Sequence, residues 1–144
     1  MDMVSAERRS EIMRGIRSKD TQPEMIVRQV VHSMGYRFRL HRADLPGKPD
    51  LVLPKWKTVI LVNGCFWHGH TCKNGRRPKS NTDYWNEKLD RNKTRDAKNA
   101  AALRRLGWRK IVIWACETTD VEKLEQKLRR LLRDIEKKHE TGQR

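Results

Sequence analysis

A mixed α/β sandwich, one sheet with helices on both faces, is the architecture the sequence predicts. "TVILVN" (58–63), an apolar run, reads as a strand for the middle of a sheet, and "WRKIVIW" (108–114) as another central-type strand. Segments with apolar residues three to four apart flank them and read as helices. The resulting order, α-α-β-β-β-α-β-α, implies helices on both sides of a mixed sheet. At 144 residues the chain suits one domain.

Taken in order, residues 6–18, "AERRSEIMRGIRS", predict a short basic helix with Ile12 and Ile16 four apart. "TQPE" (21–24) has the form of a capping box, Thr21 as the cap and Glu24 three residues on. The helix behind it is expected to run to about Met34, burying Val27, Val30, Val31 and Met34 and stopping at Gly35. "YRFRL" (36–40) alternates apolar and basic residues and reads as a half-buried strand. "DLPGKPD" (44–50) is turn chemistry, "DLVL" a strand and "PKWK" a second turn. After "TVILVN" a basic loop occupies 73–81. A long helix then runs from about Thr82 to Leu106, closed by Gly107. The last helix, about 119–138, sets Val121, Leu124, Leu128, Leu131 and Ile135 on one face. Residues 139–144 are expected to form a disordered tail.

Charge narrows the function classes. Lys and Arg number 33 against 18 Asp and Glu, a net +15. A surplus of that size suits a polyanion, most often nucleic acid; a solvated basic surface, as on a ribosome-associated protein, is the plainer reading. No window approaches 18 consecutive apolar residues, so no membrane span is expected. The first 20 residues have no apolar signal-peptide core, which points to a cytoplasmic protein. Three cysteines are an odd number, and in a reducing compartment they favour metal binding or simple burial over a disulfide framework.

"NGCFWHGHTC" (63–72) concentrates the chemistry. Cys65, His70 and Cys72 lie within eight residues. Cys116 follows the strand ending at Trp114, as Cys65 follows the strand ending at Asn63. If those strands are neighbours, three thiolates and one imidazole converge, a closed tetrahedral set suited to structural zinc. The competing reading is ordinary burial of the cysteines. A closed site leaves no position for chemistry, so this zinc would be a staple.

His68 is left over. It shares a face with His70 on an extended segment, and a neutral histidine can activate water. A lone histidine is also commonly structural. Asp50, in "KPD" at the start of a strand, can hold Mg²⁺ together with carbonyl and phosphate oxygens, or can simply face solvent. Phosphodiester cleavage needs such a cation to stabilise charge on the phosphate. Glu24 can serve as a second acid, although capping alone explains it.

"LPGKPDLVLPKWKTVILVNGCFWHGHTC" closely resembles the very short patch repair (Vsr) endonucleases, which nick DNA beside T:G mismatches left by deamination of 5-methylcytosine. "MRGIRSKDTQPE" and "YWNEKLDRNKTRDAKNAAALRRLGWRKIVIWACE" resemble the same family, so the similarity covers roughly residues 6–135. It implies a restriction-endonuclease-like fold related to the PD-(D/E)xK nucleases, a three-layer sandwich with a structural zinc site. The usual second acid and lysine are absent here, as in that family.

By resemblance, Asp50 and the main-chain carbonyl of Val62 would hold Mg²⁺. His68 would activate water, Asp96 would orient it, and Glu24 would support the site. Zinc would sit on Cys65, His70, Cys72 and Cys116. Phe66 and Trp67 would form an intercalating wedge with Met13 from the N-terminal helix (1–18), since apolar side chains can part a base step. Lys88 and Asn92, four apart on the long helix, would meet the mismatched pair. Core packing for the aromatics and a solvated helix face for Lys88 and Asn92 are the readings without the resemblance. Position 63 is Asn where some relatives carry histidine or aspartate, and "HGHT" replaces a histidine run; both bear on base specificity.

The expected protein is thus a monomeric, Mg²⁺-dependent, strand-specific endonuclease. It would act in the cytoplasm, at the nucleoid, on double-stranded DNA with a T:G mismatch, with other repair proteins as possible partners. The alternative is a zinc-stabilised, non-catalytic mismatch- or structure-binding protein. A related nuclease for RNA or other DNA lesions is a third option.

Overall fold

The structure, a computed structural model, describes residues 21–140. The expected basic helix at 6–18, with Met13, and residues 141–144 lie outside the described residues. Helix α1 spans Gln22–Ser33. Strands β1 (Arg39–Leu40), β2 (Leu51–Leu53) and β3 (Thr58–Asn63) follow. Then come helix α2 (Thr82–Arg105), strand β4 (Arg109–Trp114) and helix α3 (Val121–Glu140). The sheet order is β1-β2-β3-β4, antiparallel except for the parallel β3–β4 pair that α2 connects. β4, expected at the centre, is therefore an edge strand of the described sheet, with Lys110 exposed and only Ile111 and Ile113 buried.

Alternate strand residues face opposite sides of the sheet, and here each side has its own helical layer. Leu51, Leu53, Ile60, Ile111 and Ile113 pack with Val27, Val30 and Val31 of α1 and with Leu124, Leu128, Leu132 and Ile135 of α3. On the other face, Val52 and Val59 pack with Leu45 and with Leu103 of α2. This is the three-layer sandwich with a mixed sheet that the sequence predicts. Leu128 is fully buried within the larger cluster. Leu128→Ala is expected to cost roughly 2–5 kcal/mol, transfer and cavity terms together. Urea unfolding should show a lower midpoint at unchanged slope; a loss under about 1 kcal/mol would mean that α3 does not pack here.

Several boundaries differ from expectation, each for a local reason. Only Arg39 and Leu40 of "YRFRL" join the ladder, and both are exposed. Tyr36 and Phe38 instead pack partly against the core from an irregular segment. The Tyr36 hydroxyl donates to Glu136 of α3 at 2.6 Å. Met34 is half-buried rather than buried. Val121, at the first turn of α3, is exposed, and Leu132 completes the buried face with Leu131 at its margin. Two residues of the expected tail are helical: α3 runs to Glu140, and His139 meets the Trp56 ring edge-on at 5.3 Å. "PKWK" is a 3₁₀ turn, Pro54–Trp56, closed by left-handed Lys57. Among the described residues no helix is long and apolar enough to cross a membrane.

Candidate active site

Strand direction gathers the chemistry at one end of the sheet. β3 and β4 run parallel, with Asn63 opposite Trp114, so the chains leaving them emerge side by side. β2 is antiparallel to β3, with Leu51 opposite Ile60. Asp50, just before β2, therefore lies at the end where β3 finishes.

The first cluster is the one expected from the neighbouring strand ends. Ligand atoms of Cys65, His70, Cys72 and Cys116 all lie within 4.8 Å of one another. None of the three cysteines forms a disulfide. Cys116 Sγ is 3.6 Å from His70 Nδ1, and the His70 ring stacks on Trp114 with centroids 4.2 Å apart. Glu117 anchors the turn carrying Cys116: it accepts the Trp114 N–H at 3.0 Å and Lys127 Nζ at 2.6 Å. Gly75 closes the loop from beneath. A Cβ there would fall 1.9 Å from the His70 carbonyl oxygen, so only glycine permits that approach. Burial pushes the Cys116 thiol up to about 12, and the neighbouring Cys65 and Cys72 thiols push the same way. Three soft sulfur donors and one imidazole fit a tetrahedral thiophilic ion.

The second cluster is oxygen-rich. Asp50 Oδ2 accepts the backbone N–H of Val62 at 2.6 Å. Glu24 is buried, and ligand atoms of Glu24, His41 and Asp50 lie within 4.8 Å of one another. Thr21 does cap α1, accepting the Glu24 N–H at 3.4 Å. The Glu24 side chain meanwhile reaches the cluster, its Oε2 3.5 Å from His41 Nε2 and 3.3 Å from Arg28 Nη2. Capping alone therefore does not account for Glu24. Burial raises the Asp50 carboxyl to about 7; the Val62 N–H opposes this and the Glu24 charge adds to it. A carboxyl held in that way favours a cation beside it.

His68 stands on the loop after β3, and its Nδ1 lies 2.5 Å from Asp96 Oδ2. Asp96 belongs to a stripe on α2 with Lys88 and Asn92, each four residues apart. Asn92 Nδ2 donates to the Trp67 carbonyl at 3.2 Å. Lys88 Nζ sits 5.2 Å above the Trp67 ring and 5.8 Å from that of Tyr84. The stripe thus covers the 66–70 loop and is not a plain solvated face. Phe66 and Trp67 are half-buried and meet edge-on at 5.3 Å. Both lean on buried Trp85, at 5.4 and 6.1 Å.

Sequence reasoning missed His41, Trp85 and Trp114 in this assembly. His41 was within reach: pairing "YRFRL" with "DLVL" as an antiparallel hairpin puts residue 41 opposite residue 50. The observed register, Leu40 with Leu51, does so. Met13 cannot be placed, because it lies outside the described residues.

Comparison with known proteins identifies the family. Residues 1–74 match the family described as DNA mismatch endonuclease Vsr. The chain is 53% identical over 131 residues to the Type II nicking enzyme V.XorIIP of Xanthomonas oryzae pv. oryzae, covering 91% of this chain and 96% of that one. The chain belongs to the Vsr family. It is also 44% identical to the Type II nicking enzyme V.NmeAIP of Neisseria meningitidis, over 93% of this chain and 96% of that one. Identity to the DNA mismatch endonuclease Vsr of Escherichia coli is 39%, over 81% of this chain and 74% of that one. Among solved structures, the catalytic domain of the homing endonuclease I-Bth0305I is similar in fold. Its TM-score is 0.55 at 19% identity, over 81% of this chain and 98% of that one. As a Vsr-family protein the chain is a DNA endonuclease with a nicking role, which removes the non-catalytic binding module from consideration.

Proposed function

We propose that this Vsr-family protein hydrolyses the phosphodiester on the 5′ side of the thymine in a T:G mismatch, leaving a 5′-phosphate and a 3′-hydroxyl. It would act as a monomer on double-stranded DNA in the cytoplasm, with a divalent cation, Mg²⁺, at Asp50 and zinc on the cysteine cluster. The observation that carries this reading is the pairing at one sheet end: Asp50 tied to the Val62 N–H, and His68 tied to Asp96.

The oxygen-rich set fits a hard cation and the sulfur-rich set fits zinc. When bound at Asp50, Mg²⁺ would neutralise charge on the phosphate. In a β-strand, a residue's N–H and C=O point toward the same neighbour. Since the Val62 N–H points to Asp50, its carbonyl is directed to that side and can serve as a further oxygen donor. Glu24 supplies a second carboxylate, shielded from solvent.

His68 does the proton work. With Nδ1–H given to Asp96, the Nε2 lone pair is left to take a proton from water. The hydroxide equivalent attacks phosphorus, the bond to the 3′ oxygen breaks, and that oxygen takes a proton from solvent water, while the proton held by His68 returns to solvent. Asp96 fixes the tautomer and favours the imidazolium that forms, the role an orienting carboxylate plays beside a catalytic histidine. Phe66 and Trp67 stand half-buried on the loop after β3, backed by buried Trp85. Phe66 and Trp67 would enter the weakened step at the mismatch, where unstacking costs a few kcal/mol and stacking on a ring returns about 1–3 kcal/mol per base. Lys88 and Asn92 border the same surface.

Nicking of a labelled T:G duplex with Mg²⁺, beside a matched T:A duplex and with the product ends mapped, tests the reading. Cleavage confined to the thymine strand and its 5′ side is expected; equal cleavage of the matched duplex would overturn the mismatch assignment. The two histidines should separate cleanly. His68→Ala should lose roughly 10²–10⁴-fold in nicking rate yet keep its zinc by metal analysis. His70→Ala should lose zinc. The reverse pattern would exchange their roles.

A further inference from the structure

We propose that His41 is a ligand of the cation at Asp50, giving the site one nitrogen donor and a preference for Mn²⁺ that an all-oxygen site lacks. This rests on the reading of Asp50 as the cation site.

Three observations converge on it. The β1–β2 register brings His41 opposite Asp50, and its backbone N–H donates to the Asp50 carbonyl at 3.3 Å. The backbone at His41 is left-handed, with φ of 49°, a region non-glycine residues occupy infrequently. The ring lies between the two carboxylates. Nε2 is 3.5 Å from Glu24 Oε2, and Nδ1 is 4.0 Å from Asp50 Oδ1.

Those distances differ in meaning. A gap of 4.0 Å is too wide for a hydrogen bond. It is a span that two metal–donor bonds of about 2.0–2.2 Å each can bridge. Arg28 Nη2 can only donate, so at 3.0 Å it makes Nε2 the acceptor and leaves the ring proton on Nδ1. Ligation through Nδ1 would shift that proton to Nε2, which would then donate to Glu24 in place of accepting from Arg28; a carboxylate behind a ligating histidine fixes the ring and strengthens the donor. Arg28, whose Nη2 is 3.0 Å from His41 Nε2 and 3.3 Å from Glu24 Oε2, supplies positive charge beside this carboxylate. The donor set then comprises the Asp50 carboxylate, one imidazole and the Val62 carbonyl, with Glu24 holding the imidazole from behind. Mg²⁺ binds through oxygens and draws little from imidazole, whereas a first-row transition ion uses both donor types.

Mn²⁺ binding by EPR tests this on the full chain with its cysteine cluster loaded with Zn²⁺. The loss of free-ion signal gives affinity, and pulsed EPR reads ¹⁴N coupling to the bound ion. The wild type should bind Mn²⁺ with ¹⁴N coupling. His41→Gln should lose the coupling and roughly tenfold or more in Mn²⁺ affinity, with Mg²⁺ affinity, by competition, changed less than about twofold. His68→Ala should retain the coupling. If Asp50→Ala abolishes Mn²⁺ binding while His41→Gln keeps affinity and coupling, the cation site stands and the histidine assignment falls. If Asp50→Ala binds Mn²⁺ like wild type, or wild type binds none, both assignments fall.

Discussion

Asp50→Asn is expected to reduce nicking by about a thousandfold or more. Removing the charge that holds the cation forfeits several kcal/mol of phosphate stabilisation, and each 1.36 kcal/mol is a factor of ten. Binding to a T:G duplex should stay the same or tighten, because a carboxylate facing phosphate is lost. The same variant should stabilise the cation-free protein at pH 8. The folded carboxyl sits near 7 against an ordinary 3.8. Below about pH 4 both states hold the proton and Asp50 imposes no penalty. Between about 4 and 7 the unfolded chain ionises first, so folded stability falls as pH rises. Above about 7 the full penalty is present, on the order of 4 kcal/mol at 1.36 kcal/mol per unit. Asparagine can still accept the Val62 N–H and carries no charge. Thermal melts in chelator should therefore show the variant several degrees above wild type at pH 8, with the gap closing near pH 4. A wild type more stable than the variant at pH 8 without cation would show that Asp50 belongs to a structural ion pair.

Cys116→Ser is expected to be the most damaging change to the fold. The four-ligand cluster ties the β3 exit loop to the turn after β4, and apparent zinc binding energies reach about 10–16 kcal/mol in small structural sites. Losing one thiolate should abolish stoichiometric zinc and lower Tm by about 10 °C or more, at about 2–4 °C per kcal/mol for a chain of this size. With the metal-free Cys116 thiol pushed up to about 12, it is protonated near neutrality. Loading zinc must expel that proton, so binding releases protons to solution. Apparent affinity should therefore rise with pH. An indicator-dye titration in weak buffer measures the release; no proton release and a pH-independent affinity would mean that the thiols are not the ligands.

β3 was legible because an inner strand leaves a continuous apolar run, as in "TVILVN"; "WRKIVIW" was legible as a strand but not in its place, since β4 lies at the sheet edge with Lys110 exposed. "YRFRL" misled because its alternation arises from Tyr36 and Phe38 reaching the core off an irregular segment, not from a ladder. The cysteine cluster was legible through topology: Asn63 and Trp114 needed only to be neighbours, and they are. Glu24 carried two signals at one position, because a helix cap and a buried carboxylate use the same residue type. The capping reading hid the side chain's destination. His41 was hidden by register, since its role depends on a two-residue strand whose pairing no periodicity reveals. Lys88, Asn92 and Asp96 showed their common helix face, but what that face covers depends on the loop at 66–70 folding back onto α2.

Crystals of the protein with a T:G duplex, grown with Mn²⁺ and zinc, offer the most direct measurement, through anomalous scattering at the two absorption edges. The manganese peak should lie within bonding distance of the Asp50 carboxylate and the scissile phosphate, and the zinc peak among Cys65, His70, Cys72 and Cys116. A manganese peak remote from Asp50, or a phosphate out of reach of both that ion and His68, would contradict the hydrolytic assignment.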